Sequence, residues 1–316
     1  MTIANAFSEL GVNDAAEPQY LKALELRRAL APADPLALAE THEKLGRLYR
    51  RRGKLDDAER MLDEALRIRR ENLRDPDDGY FAVTLSSLSL LKRNQRKYDE
   101  AEQLTLKALD IYRRILGPED ESVPLVLQNL AMVYLESGRA SEAEPFLYEA
   151  LALVWKLHGE HHADTASIEL VLAAVLQSVE KMAAAEQFAI HALGTYRLLY
   201  GDVHARVAAA QSRLAELLMA RNETVAAAVM YCEAVAGFRA AQQSLDLARA
   251  LPPYARLLRA LGRAREAADC CDNALAIPNL SSYLQPEEIA DLKAMLAEAR
   301  NGAVVAHPAD ASRPMR

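Results

Sequence analysis

Apolar residues recur along this chain in paired helical stripes separated by short polar breaks. Leu45, Leu48 and Tyr49 fall at i, i+3 and i+4, Gly53 interrupts, and Ala58, Leu62, Ala65 and Leu66 resume the stripe. That pattern predicts two helices joined by a tight turn. It repeats along the chain: Ala16, Ala58, Ala101, Ala143, Ala185, Ala227 and Ala267 are spaced 42, 43, 42, 42, 42 and 40 residues apart. Seven residues later Ala23, Ala65, Ala108, Ala150, Ala192, Ala234 and Ala274 keep the same intervals. Thirteen residues before the first series stand Ile3, Leu45, Leu88, Leu130, Leu172 and Leu214, closed by Tyr254. Five residues before it stand Gly11, Gly53, Gly138 and Gly262, with Arg96, Glu180 and Asn222 in the remaining units. Agreement at four offsets predicts an array of helical hairpins, none able to bury its apolar face without its neighbours.

Within each unit the small residue has a mechanical role. Alanine lets the two helices approach, while Leu and Tyr fill the space opposite. Asp14, Asp56, Asp99 and Ser141 stand two before the repeat alanine and Glu17, Glu59, Glu102 and Glu144 one after it, which predicts a capping box at the second helix. Leu116-Gly117-Pro118, Leu157-His158-Gly159 and Leu199-Tyr200-Gly201 read as stops between units, glycine supplying the left-handed ending. The units predicted are 1–35, with a truncated first helix, then 36–78, 79–121, 122–163, 164–205, 206–243 and 244–277. The last is degenerate, because Pro252 and Pro253 interrupt its first helix, which restarts there. Residues 285–300 predict a capping helix over the final apolar face, and 301–316 a disordered tail. With no Gly/Ser linker, 1–300 is expected to form one continuous solenoid.

The pattern Leu-Ala-x-x-Tyr, Gly, Asp-x-Ala-Glu, Ala-Leu resembles the tetratricopeptide repeat. The ~42-residue period and the phrases AEPFLYEALAL and LDIYRRILGPED are similar to its kinesin-light-chain subclass. The likeness spans residues 1–277. It implies an all-α, right-handed superhelical solenoid of antiparallel helix pairs, with the first helix of each unit on a concave inner face.

Composition agrees with a helical array and narrows the chemistry. Of 316 residues 51% are hydrophobic and 26% charged, while aromatics are 6% and Gly and Pro number 12 and 13, which disfavours wholesale disorder and all-β folds. With 38 basic against 45 acidic residues the net charge is −7, an unpromising balance for nucleic acid or an anionic membrane. No apolar run reaches the ~18 residues of a membrane span and the first ten residues lack a signal-peptide pattern. Three cysteines without framework spacing fit a reduced, cytoplasmic setting.

Motifs of catalysis are missing: no phosphate loop, no nucleophile elbow. His158, His161, His162 and Asp164 lack the helical i, i+4 pairing of a zinc hydrolase and read as a polar inter-unit turn. Cys270 and Cys271 diverge on one helix, and Cys271 takes a core position held elsewhere by Leu62. The expectation is a non-enzyme with no cofactor and no metal.

The resemblance directs attention to the inner face. Eleven residues before the repeat alanine that face carries Arg47, Leu90, Met132, Ala174, Glu216 and Arg256, and eight before it Arg50, Arg93, Leu135, Gln177, Met219 and Arg259. Gln128 and Asn129 join them at the next turn, beside the equivalents Glu43 and Lys44. The groove is therefore expected to be basic near its amino-terminal end and apolar in the middle, with Arg47, Arg50, Arg93, Leu90, Gln128, Asn129, Met132 and Leu135 as candidate peptide contacts. Arginine offers bidentate bonds to carboxylates. The same arginines also read as helix-end cations complementing the dipole, and Met132 and Leu135 also read as core. The chaperone-type carboxylate clamp does not match, since its offsets hold Glu43/Arg47, Ser86/Leu90 and Gln128/Met132. The kinesin-light-chain type of groove implies a short peptide with a bulky apolar residue flanked by acids. Arg67 and Arg69, on a second helix, are expected on the outer face. The function expected is a protein-interaction scaffold; the alternative is a module whose groove or truncated first edge mediates self-association or packs on another domain.

Overall fold

The computed structural model describes residues 13–29, 34–73 and 78–305. Among these the chain is all-helical. A lone α1 (Asn13–Ala29) is followed by six antiparallel pairs: α2 (Pro35–Arg51) with α3 (Leu55–Asn72), α4 (Gly79–Asn94) with α5 (Tyr98–Ile115), and α6 (Ser122–Glu136) with α7 (Ala140–His158). Then come α8 (Ala163–Ser178) with α9 (Met182–Tyr200), α10 (Ala205–Ala220) with α11 (Thr224–Ala240), and α12 (Ser244–Ala260) with α13 (Ala264–Leu275). A 3-10 turn (Leu280–Ser282) leads into α14 (Pro286–Val305). The first-unit helix expected over residues 1–12, with Ile3 and Gly11, and the tail beyond residue 305 lie outside the described residues.

The periodic positions are the packed ones. Ala16, Ala58, Ala101, Ala143, Ala185 and Ala227 are 0% exposed, so each marks a place where two backbones meet with nothing larger between them. Leu45, Leu88, Leu130, Leu172, Leu214 and Tyr254 are buried too. Cys271 is fully buried at its leucine-type position, and burial pushes the neighbouring Cys270 thiol up to about 12. Two apolar clusters, one from α1 to α10 and one from α10 to α14, meet on α10. The first helices also touch one another, α2 to α4, α4 to α6, α6 to α8 and α8 to α10. They therefore stand on the inside of the curve, where successive units crowd together.

Every intra-unit turn adopts one geometry whatever residue occupies it. Gly53, Gly138 and Gly262 have φ of 68°, 79° and 73°, and Arg96, Glu180 and Asn222 take 60°, 61° and 62° at the same register. Lys54, Lys97, Arg139 and Lys181 close the preceding helix by a six-residue backbone bond, as in Lys54 N donating to Tyr49 O at 2.9 Å. Lys54 also opens the next helix, its carbonyl accepting from Ala58 N at 3.0 Å. One residue serves both ends, which leaves no separate cap position. The predicted capping box is consequently not formed: α3, α5, α7 and α9 have no side-chain cap bond, and Asp56 and Asp99 sit inside the first turn.

The repeat glutamate instead reaches forward to the next unit. Glu17 pairs with Arg52, Glu59 accepts from Lys92 and Gln95 at 2.7 Å, and Glu102 from Tyr134 Oη at 2.9 Å and Arg139 at 2.6 Å. Glu144 holds Lys181 at 2.6 Å and Glu186 holds Arg221 at 2.5 Å. Each pair adds only ~0–1 kcal/mol, but five in series fix the rotation between successive hairpins.

Two differences mark the carboxyl-terminal end. Helix α12 runs unbroken through Pro252 and Pro253, where the sequence predicts a restart. Pro252 is itself buried beside Leu251, Tyr254, Leu257 and Leu258, and that apolar contact outweighs the two missing ladder donors. Helix α14 extends past residue 300 to Val305. The segment before it crosses to the start of the array. Asn279 Nδ2 donates to Arg52 O at 3.0 Å, Ser282 Oγ to Gly53 O at 2.8 Å, and Tyr283 Oη to Arg51 O at 3.4 Å. Residues some 230 positions later thus cap free carbonyls at the end of α2.

Because Glu180 carries an exposed side chain in left-handed geometry, Glu180→Gly is expected to raise unfolding free energy by about 1 kcal/mol. Gly138→Ala, with nothing within 4 Å of the added carbon, is expected to lower it by a similar amount; paired urea melts check both. Ala143→Leu is expected to cost about 1–3 kcal/mol by overpacking α6 against α7. An unchanged melt for that variant would mean that the contact tolerates bulk.

Candidate ligand-binding groove

The inner wall begins at the end of α2. Its last turn carries Arg50 and Arg51, and α4 ends in the same way with Lys92 and Arg93. These cations complement their helix dipoles, yet their surroundings go beyond that role. Arg93 is 13% exposed, with Glu136 of α6 3.6 Å from its Nε. Arg47 is half exposed and 4.0 Å from Glu43, a carboxylate already held by Arg69 at 2.6 Å. Arg50 has its Nε fully enclosed without a hydrogen-bond partner. Burial, then the like charges of Arg93, Arg51, Arg47 and Arg249, pull its guanidinium down to about 9. Burial lowers Arg93 as well; Glu136 opposes this and Arg249 adds to it.

Arg249 was not among the positions singled out from the sequence. It lies on α12 in the last unit, 18 residues before Ala267 and so about one helical turn before the earliest inner offset used to find the others. Only the curvature of the array carries it across to Arg50 and Arg93. Its neighbour Asp246 feels the opposite pull: burial raises the carboxyl and Arg249 lowers it. The sequence pointed instead to Arg256 and Arg259, and these are spent on α14, Arg256 with Asp291 at 2.6 Å and Arg259 with Glu298 at 3.1 Å.

The apolar part of the wall follows on α4 and α6. Leu90, Met132 and Leu135 are each half-buried, as is Asn129, and Leu135 rests against the main core. Gln128 faces the next unit, donating to Ser167 Oγ at 2.8 Å and Ser167 O at 3.1 Å, so it ties α6 to α8. Glu43, expected beside the groove, is buried between α2 and α3. Arg69, expected on the outer face, is 2% exposed; it also donates to Thr84 and to Tyr80 O at 2.9 Å. Burial of a charged residue on a second helix follows from the facing Glu43, which periodicity alone does not reveal.

The histidine turn acquires a structural explanation. His158, His162 and Asp164 bring donor atoms within 4.8 Å of one another. His162 Nδ1, however, accepts the Asp164 N–H at 3.2 Å as the cap of α8, and its ring stacks on His158 at 4.3 Å. One unit later His204 caps α10 through Arg206 N at 3.1 Å and stacks on Tyr200 at 4.2 Å. The same cap and stack therefore recur where tyrosine replaces the first histidine.

Helical hairpins in series, curved with their first helices inward, define an α-solenoid of the tetratricopeptide class. Residues 1–71 and 80–154 match the tetratricopeptide repeat family, so the chain carries repeats of that type. No curated protein matches it. Among solved structures it is similar to the Rap protein complexed with Competence and Sporulation Factor (TM-score 0.67, 15% identity, covering 96% of this chain and 85% of that one). It is also similar to the kinesin light chain nearly identical repeats of Podosopora anserina (TM-score 0.52, 20% identity, 66% and 97%). A third is a signal-transduction ATPase with a tetratricopeptide repeat sensor from Pyrococcus horikoshii (TM-score 0.55, 18% identity, 92% and 43%). Among the described residues no helix is long and apolar enough to cross a membrane.

A base held below its ordinary value is charged at a cost in the folded chain. For Arg50 that penalty is present at neutral pH and relieved as pH rises past about 9. Arg50→Met is therefore expected to stabilise the ligand-free protein by about 1–3 kcal/mol at pH 7, with the gain shrinking above pH 9. Urea titrations at both pH values check this, and a loss of stability at pH 7 would show the charge to be compensated.

Proposed function

We propose that this protein is a non-catalytic interaction scaffold, cytoplasmic in setting, whose concave face binds an extended peptide bearing acidic residues around a bulky apolar one. One observation carries the reading: the Arg50 Nε is enclosed with no hydrogen-bond partner among the described residues, and four other arginines add like charge to it. A carboxylate of a partner would relieve that repulsion and collect charge-assisted bonds in a partly desolvated place. Leu90, Met132 and Leu135 supply the adjoining apolar surface, and Arg47, half exposed, forms the rim. The tetratricopeptide family typically mediates protein–protein contacts, and the Rap protein of similar fold is complexed with Competence and Sporulation Factor. Both fit a binding role without naming a partner. The alternative, a module that packs on itself, draws on the contact between residues 279–283 and α2.

The triple variant Arg47→Glu/Arg50→Glu/Arg93→Glu tests the groove. A labelled peptide with one tryptophan flanked on each side by two glutamates is expected to bind the wild type, and more weakly as salt rises. The triple variant is expected to lose at least about 100-fold in affinity, because several kcal/mol of attraction becomes repulsion. Arg67→Glu/Arg70→Glu, on the exposed side of α3, serves as the outer-face charge-reversal control. Equal loss in both proteins would remove the groove assignment.

A further inference from the structure

The two ends of this array are not independent. Helix α2 ends in carbonyls that its own helix cannot satisfy, and three of its neighbours at that end, Arg51 O, Arg52 O and Gly53 O, accept from Tyr283, Asn279 and Ser282. The fit is specific in shape as well as in bonding. A Cβ at Gly53 would lie 2.9 Å from the Tyr283 ring, so the ring packs on a place that only glycine leaves open. Tyr283 and Leu284 are buried, while Asn279 holds left-handed backbone at φ 55°. On the adjoining unit the Gln285 side-chain amide faces the Arg96 guanidinium. The seam is nevertheless small: a few hydrogen bonds and one ring. Beside it a polar cleft of about 690 Å³ is lined by Asp56, Asp57, Arg60, Asn94, Ser281 and others. A contact of this size can open without unfolding either end.

Next to this seam stands the arginine cluster, built from both ends of the chain. Arg47 and Arg50 come from α2, Arg93 from α4, and Arg249 from α12. The acids facing them are Glu136 beside Arg93, Glu43 already bound to Arg69, and Asp246 beside Arg249. With the seam closed, Arg249 adds like charge to Arg50 and Arg93, and that repulsion opposes closure. An anion placed among them reverses the sign, because it is attracted to both arms at once.

We infer that residues 279–285 form a latch whose closure and the binding of an acidic peptide in the groove are one coupled equilibrium, with Arg249 as the arm that transmits the coupling. The ligand chemistry rests on the groove reading above; the coupling rests on the seam and on the placement of Arg249. Linkage makes the effect reciprocal. The factor by which the latch strengthens peptide binding equals the factor by which peptide strengthens the latch.

The test uses the full chain and the labelled acidic tryptophan peptide, with hydrogen exchange at residues 279–285 as the measure of the latch. Asn279→Gly/Ser282→Ala removes two latch donors while keeping the left-handed backbone. Arg249→Gln removes the charge of an exposed side chain. Peptide is expected to slow exchange at residues 279–285 of the wild type about tenfold, and the latch variant to bind peptide about tenfold more weakly. Arg249→Gln is expected to lose both effects. If peptide binds the latch variant and Arg249→Gln as it binds the wild type, yet fails with Arg47→Glu/Arg50→Glu/Arg93→Glu, the coupling is overturned and the groove stands. If no protein binds peptide but tripolyphosphate slows exchange in an Arg249-dependent manner, the peptide reading falls and the coupling holds. If neither anion changes exchange, the latch proposal is overturned, and the groove falls with it only where the wild type also fails to bind the peptide.

Discussion

Two helix backbones approach closely only where a side chain is nearly absent, and this chain depends on that constraint being met at every repeat. Each alanine of the first series sits fully buried at a helix contact, from Ala16 to Ala227. Gly46 and Gly237 extend the rule: a Cβ at either would stand 2.6 Å from Leu62 or 2.8 Å from the Ala208 methyl. With the approach fixed, the forward-reaching glutamates set the rotation of one hairpin on the next. Small, equal steps then add along the array. That addition brings Tyr283 onto Gly53, and no local interaction could have done so.

The curvature also concentrates charge. First helices crowd together on the inside, and the last turns of α2 and α4 carry Arg50, Arg51 and Arg93 for reasons that begin with the helix dipole. Placed on a flat surface, those residues would be screened by water and salt. On a concave wall they lose solvent and face each other, and Arg50 ends below its ordinary value. A cluster held in this condition is less stable than it could be, and such a cost is common at surfaces shaped for a ligand, which supports the binding role proposed for the groove.

Repeat residues that look equivalent in the chain do different physical work in the fold. His158 and His162 group as though to hold a metal, but Tyr200 and His204 reproduce the same stack and cap one unit later. Glu59 and its counterparts occupy the capping-box position and serve as ties between units. For the glutamates the three-residue turn decides the outcome. Lys54 ends one helix and begins the next, so side chains that would have capped are released for other partners.

The sequence by itself determined what is periodic: helix pairs, their turns, the buried alanines and leucines, and the arginines that recur at the inner offsets. Periodicity suffices there because each hairpin sees nearly the same neighbours, so one set of short-range rules applies to every unit. Arg96, Glu180 and Asn222 illustrate it, adopting the glycine geometry that their register demands. The tertiary structure alone decided what depends on the sum of the units. Arg249 beside Arg50 and the 279–285 segment across the end of α2 are consequences of accumulated rotation. So too are the diversion of Arg256 and Arg259 to α14 and the passage of α12 through Pro252 and Pro253, where packing overrides local propensity. A repeat pattern specifies each step, but where the first and last steps meet depends on angles that no single repeat encodes.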